Sequence, residues 1–235
     1  MSSISQKLQA VHESIRKATA QASRPGDAVA LLAVSKTFGA DAVLEAIAAG
    51  QMAFGENYLQ EALDKIVEVN VAIAAAGLVS DVEWHFIGPI QSNKTRSIAE
   101  NFAWVHTIER EKIAQRLSDQ RPAALAPLNV CLQVNISNEA SKSGVAPEHA
   151  LAVAQTIAAL PRLRLRGLMA IPEASDDPIQ QRAAFRQLRQ LFIQLQENGL
   201  EIDTLSMGMS GDMDSAIAEG ATIVRVGSAI FGRRD

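Results

Sequence analysis

Two residues of this chain carry charge where charge is costly, and two nearby stretches are built to receive an anion. Lys36 follows Val29–Ser35 (VALLAVS), an unbroken apolar or small run. Arg225 interrupts the apolar run Ile223-Val224-Arg225-Val226. Met207–Asp214 (MGMSGDMD) and Gly227-Ser228 place glycine and serine on both sides of that arginine. A buried ammonium is costly unless it is paired, neutralised or used covalently. A buried guanidinium without an acceptor costs several kcal/mol. Glycines let backbone N–H groups approach an anion, and a helix N-terminus favours negative charge. The three features therefore offer a nucleophilic amine, a fixed cationic donor and an anion cradle. Each also has a plainer reading. Lys36 is then a strand-end lysine snorkelling to solvent. Arg225 is held by a structural carboxylate or a backbone group. Ser210 caps the following helix, a role that leaves room for anion binding as well.

The elements that must position these residues alternate along the chain. A helical segment over residues 1–24 carries Leu8, Val11, Ile15 and Ala18 at helical spacing, stopped by Arg24-Pro25-Gly26-Asp27. Strands are expected at Val29–Ser35, Ala53–Asn57, Glu83–Gly88, Trp104–Ile108, Asn129–Ile136, Leu165–Ile171, Thr204–Met209 and Thr222–Gly227. Helical patterns lie between them, including one opened by Pro147 and one from Pro178 to Asn198, and a turn follows the last strand. Eight strands alternating with helices fit a single (β/α)8 TIM barrel over residues 29–235, although an open doubly wound sheet shows the same alternation. In a barrel, inward residues near the carboxyl ends of the strands face one another. Lys36 then ends strand one on the face of Leu32 and Val34, and Asn57 ends strand two. His85 lies within strand three, and Met169 lies near the end of strand six. Taken singly, Asn57 is also a turn residue, His85 a core histidine and Met169 ordinary packing.

Composition narrows the function classes. Apolar residues make up 48% of the chain, and net charge is −4, which gives no electrostatic reason to expect nucleic acid. Cys131 is the single cysteine and sits in an apolar run, so no disulfide framework exists and a reducing, cytoplasmic setting is expected. No stretch reads as a signal peptide or a membrane span. Neither a GxGxxG nor a Walker sequence is present. Phosphate sites in barrels frequently form after strands seven and eight, where the glycine–serine stretches fall. An inward lysine, a phosphate cradle and an arginine between them fit pyridoxal 5′-phosphate (PLP), whose aldehyde condenses with a lysine. An arginine facing the ring nitrogen leaves that nitrogen unprotonated and weakens the electron sink.

Several stretches, LLAVSKTF, FGENYLQEA, EWHFIGPIQSNKTR, VNISNEASKSG, GLMAIP, LSMGMSGDMDSAIAEGAT and VRVGSAIFG, together resemble the PLP homeostasis proteins (the YggS/PROSC type). The resemblance runs from about Leu31 to Gly232. It implies one barrel similar to the N-terminal domain of alanine racemases. It also implies PLP held as an aldimine on Lys36, with Arg225 facing the pyridine nitrogen. Ser210, Gly227 and Ser228, with Gly211 as a weaker candidate, become phosphate ligands, and Asn57, His85 and Met169 become ring-side contacts. Family members often carry an acidic residue where Gly211 stands and threonine where Ser228 stands; the N–H groups and the hydroxyl are kept here. Lys142, in SKSG, is either a second aldehyde-reactive lysine or a solvated loop residue. The racemases add a second domain that supplies a tyrosine base across a dimer interface. The only tyrosine here is Tyr58. The expectation is therefore a monomeric carrier or buffer of PLP, serving apo PLP-dependent enzymes without turnover of its own. The alternatives are a single-domain racemase or lyase using Lys36 as its base, and a cofactor-free barrel aldolase.

Overall fold

The computed structural model describes residues 3–77, 81–137 and 143–232. Helix α1 (Ile4–Gln21) precedes β1 (Ala30–Val34), α2 (Ala40–Ala48), β2 (Ala53–Glu56) and α3 (Leu59–Ala75). Then come β3 (Glu83–Phe86), α4 (Thr95–Asn101), β4 (Trp104–Ile108), α5 (Glu111–Gln120) and β5 (Leu128–Gln133). A 3₁₀ turn at Pro147–His149 leads into α6 (Ala150–Ala158), followed by β6 (Leu163–Met169) and α7 (Pro178–Glu197). The last elements are β7 (Thr204–Ser206), α8 (Met213–Ala218), β8 (Ile223–Val226) and α9 (Ser228–Phe231). The strands form a closed parallel barrel in chain order, with β8 pairing β1 from Ala30↔Ile223 to Ala33↔Val226. Closure settles the choice between barrel and open sheet.

Alternation along each strand sorts side chains between two cores. On β1, Leu31 and Ala33 join the large core between sheet and helices. Leu32 points the other way and joins a small lumenal cluster with Trp104, Cys131, Met169 and Ile223. The parity read from the sequence for strand one therefore holds. Helix α1 is opened by a capping box between Ser3 and Gln6, and its buried stripe of Leu8, Val11, Ile15 and Ala18 packs towards α2, α8 and α9.

Several expected boundaries shift. Strand β7 ends at Ser206 rather than Met209, because Gly208 takes φ +93 and leaves the extended region. Strand β5 stops at Gln133, after which Val134 makes only an isolated bridge to Val145. The turn expected after strand eight is a short helix, α9.

Candidate functional site

A cavity of about 610 Å³ opens at the carboxyl ends of the strands. Lys36, Asn57, Met169, Ser210, Gly211, Arg225, Gly227 and Ser228 all line it, together with Val34, Phe38, Ile87, Ile171, Met209 and Gly232. Its size suits one small molecule. Six strands, β1–β3 and β6–β8, or the loops that follow them contribute, so residues from both ends of the sequence meet here. Residues flanking Lys36 also line the wall: Val34 before it and Phe38 after it, the latter tilted against Phe231 of α9 with ring centroids 5.2 Å apart.

The backbone around Lys36 is pinned on both sides. Lys65, buried on α3, donates to the Ser35 carbonyl at 2.9 Å, to Glu56 Oε1 at 2.7 Å and to Glu61 Oε1 at 3.0 Å. The Ser35 hydroxyl donates to the same Glu56 oxygen at 2.6 Å, and the Thr37 amide donates to Glu61 at 2.6 Å. Thr37 takes φ +70, a left-handed conformation that a threonine adopts only when its surroundings impose it. Burial pushes the Glu56 carboxyl above the ordinary range, while the Lys65 ammonium pulls it down. None of Glu56, Glu61 and Lys65 stood out in the sequence, although Glu61 and Lys65 have the i, i+4 spacing of a helical ion pair.

Asn57 follows β2 and is set by a close backbone approach. A Cβ on Gly88 would lie 2.1 Å from the Asn57 carbonyl oxygen, so only glycine lets these two loops touch. Thr107 of β4 holds the other side of Gly88, donating to its carbonyl at 2.6 Å. The Oδ1 atom of Asn57 is buried and has no hydrogen-bond partner among the described residues. Asn57 lines the cavity, but this atom is shielded from it.

Arg225 is 5% exposed and finds acceptors that its sequence neighbours did not reveal. Its Nη1 donates to Ser206 Oγ at 2.8 Å and its Nη2 to the Ala170 carbonyl at 3.1 Å. Burial lowers its pKa to about 10, which leaves it cationic at neutral pH. Ser206 Oγ also contacts His106 Nδ1 at 2.7 Å, and His106 Nε2 contacts His85 Nδ1 at 2.9 Å. His85 stacks on Trp104, with centroids 5.3 Å apart and planes 4° from parallel. His85, implied as a ring-side contact, is buried within the lumen and is not among the residues that line the cavity. Its hydrogen bond to His106 and its stack on Trp104 hold it there. Burial pushes both imidazoles below their ordinary range. Cys131, also lumenal, has its thiol pushed up to about 12 by burial and is a packing residue.

The glycine–serine turns after β7 and β8 bring Ser210, Gly211, Gly227 and Ser228 to the cavity wall. Gly208 begins the first turn, and its carbonyl accepts from the Arg225 amide at 2.9 Å. Ser210 is not the helix cap, because α8 begins at Met213 with Asp212 as its N-cap. The Asp212 carboxylate accepts from the Met209 amide at 2.6 Å, within its own loop. Helix α9 begins at Ser228, and the opening amides of a helix have no acceptor within it. Lys142 lies outside the described residues.

The chain matches a family model described as the N-terminal domain of alanine racemase over residues 6–235. It is 59% identical over 235 residues to a pyridoxal phosphate homeostasis protein of Pseudomonas aeruginosa, covering 100% of this chain and 97% of that one. It is 52% identical over 235 residues to the protein of the same name in Escherichia coli K12, covering 100% and 98%. Among solved structures it is similar to PipY of Synechococcus elongatus with PLP bound, at 34% identity and a TM-score of 0.82, over 97% of this chain and 100% of that one. The chain therefore belongs to the alanine racemase N-terminal domain family and, within it, to the pyridoxal phosphate homeostasis proteins.

Proposed function

We propose that this protein binds PLP in the cavity at the barrel mouth and carries or buffers it for apo PLP-dependent enzymes, with no turnover of its own. The observation that carries the reading is the convergence of Lys36, Arg225 and the two glycine–serine turns on one cavity of suitable size. The residues fit the cofactor: a primary amine for its aldehyde, hydroxyls and amides for its phosphate, a guanidinium for its ring nitrogen. When bound, PLP supplies an aldehyde that condenses with a primary amine. Lys36 is the covalent anchor. Ser210, Gly211, Gly227 and Ser228 hold the phosphate, Arg225 donates to the ring nitrogen, and Asn57 and Met169 flank the ring. The relatives' names and the PLP-bound PipY structure support the cofactor assignment.

Absence of turnover is supported by what lines the cavity. Lys36 and Arg225 are its titratable residues among those described. Arginine stays protonated at neutral pH and does not serve as a base there, so a two-base proton exchange at an amino-acid Cα has no second partner. Tyr58 is 52% exposed and is not part of the cavity wall. We also expect a monomer in solution.

Titration of the purified protein with PLP tests the reading. A visible-to-near-ultraviolet band and a borohydride-stable adduct at Lys36 are expected, and Lys36→Ala loses both with an unchanged far-ultraviolet circular dichroism spectrum. Mixing loaded protein with an apo PLP enzyme should restore its activity faster than buffer does. Stereospecific deuterium exchange at an amino-acid Cα would favour the racemase alternative, and lack of any band would overturn PLP binding.

A further inference from the structure

Arg225 lines the cavity as a cation, yet none of its hydrogen bonds within the described residues goes to a carboxylate. Its guanidinium is held instead by a chain of neutral groups that crosses the barrel lumen from β8 to β7, β4 and β3. Arg225, Ser206, His106 and His85 follow one another at 2.8, 2.7 and 2.9 Å. All four are buried. Beyond them, His85 Nε2 lies 3.8 Å from the carboxylate of Glu83, the first residue of β3, whose side chain is 56% exposed.

The direction of the chain follows from what each end can do. Guanidinium only donates, so Ser206 Oγ accepts from Arg225 and its own proton is free to go elsewhere. If that proton goes to His106 Nδ1, His106 carries its hydrogen on Nε2 and donates to His85 Nδ1. His85 then carries its hydrogen on Nε2, facing the Glu83 carboxylate. Each of the three hydrogen bonds then has one donor and one acceptor, and His85 Nε2, buried without a hydrogen-bond partner among the described residues, points its hydrogen towards a carboxylate 3.8 Å away. The opposite polarity makes Ser206 Oγ accept twice and aims a bare His85 lone pair at a carboxylate, which like charges disfavour. Because the Arg225 end can only donate, the chain has no way to hand a proton into the cavity. Its task is orientation.

We propose that His106 and Ser206 are positioning residues for Arg225: both histidines are neutral Nε2–H tautomers, and the chain fixes the guanidinium that faces the cavity. The effect on cofactor binding rests on the function proposed above, whereas the tautomers do not. The neutral state accords with the burial of both rings. A neutral anchor also leaves the whole arginine charge for the ligand, where a carboxylate would cancel it.

Long-range 1H–15N correlation spectra of the apo protein at pH 7 give the first test. Both histidines should show protonated Nε2 and unprotonated Nδ1. An Nδ1–H tautomer or an imidazolium at either position overturns the proposal, whatever the protein binds. The second test uses PLP affinity and the position of its absorption band in His106→Phe and Ser206→Ala. Each should weaken PLP binding by about tenfold, the scale on which orienting partners of a binding side chain act. Adding Arg225→Ala to either should cost little more than Arg225→Ala alone. His106→Gln, whose amide oxygen can accept from Ser206, should recover part of the loss. Wild-type affinity and an unshifted band in folded His106→Phe and Ser206→Ala would sink the positioning role while leaving PLP binding intact. Failure of the wild type to bind PLP would sink the function instead and leave the tautomers to be judged alone.

Discussion

Lys65 has a structural task that its position on an outer helix conceals. It neutralises the buried Glu56 carboxylate and holds the Ser35 carbonyl that precedes Lys36. Removing one partner of a buried ion pair is strongly destabilising, because the other charge is left behind. Lys65→Met should lower the unfolding free energy by about 3–5 kcal/mol in urea titrations. Pairing it with Glu56→Leu should recover much of that loss, since no buried carboxylate then remains. An unchanged midpoint in the single variant would show that Glu56 is already neutral in the native protein. At the same scale, Arg225→Ala should weaken PLP retention in dialysis without shifting the thermal midpoint by more than a few degrees. Arg225 was conspicuous in the sequence because a guanidinium stood in an apolar run. Its partners were not, because Ser206 and His106 lie on other strands, and a lone histidine in Trp104–Ile108 looks like any core residue. Likewise, motif likeness singled out His85 but not the Trp104 ring it stacks on.

Strand ends and the loops beyond them decide where the site lies. The close pass of Gly88 over the Asn57 carbonyl is a contact between two βα loops that no side chain could occupy. Gly88→Ala should force these loops apart, cost about 1–3 kcal/mol of stability and weaken PLP binding in the absorbance titration. Retention of both would show that the loops separate freely. Element type was legible wherever a run was long and periodic, as in β1, α1 and α7. It was not legible where backbone conformation outweighed side-chain pattern. Gly208 cuts β7 short by turning left-handed, and Pro147 opens a 3₁₀ turn before α6. Helix α9, with four residues, is too short to show a period at all.

At the scale of the molecule, two neutral histidines buried in the lumen link stability to acidity. Their folded pKa values lie below the ordinary imidazole value, so only the unfolded chain takes up protons just beneath it. Stability should therefore be full above about pH 6.5 and fall as the pH drops from there, by up to about 1.4 kcal/mol per pH unit for each histidine. Urea midpoints between pH 7 and pH 5 check this; His106→Phe should show a shallower slope, and a flat wild-type profile would mean that the histidines bind protons equally in the folded and unfolded chain. Among the described residues no helix is long and apolar enough to cross a membrane. Closure of the barrel has a consequence for how the protein is made. Lys36 follows β1 and Arg225 stands on β8, and the two strands are paired neighbours although they lie near opposite ends of the polypeptide. A nascent chain still tethered to the ribosome thus displays the Lys36 amine long before Arg225 is synthesised. Capture of the vitamin would then be a proofreading signal, possible only for a finished molecule, and fragments arrested ahead of β8 should emerge colourless.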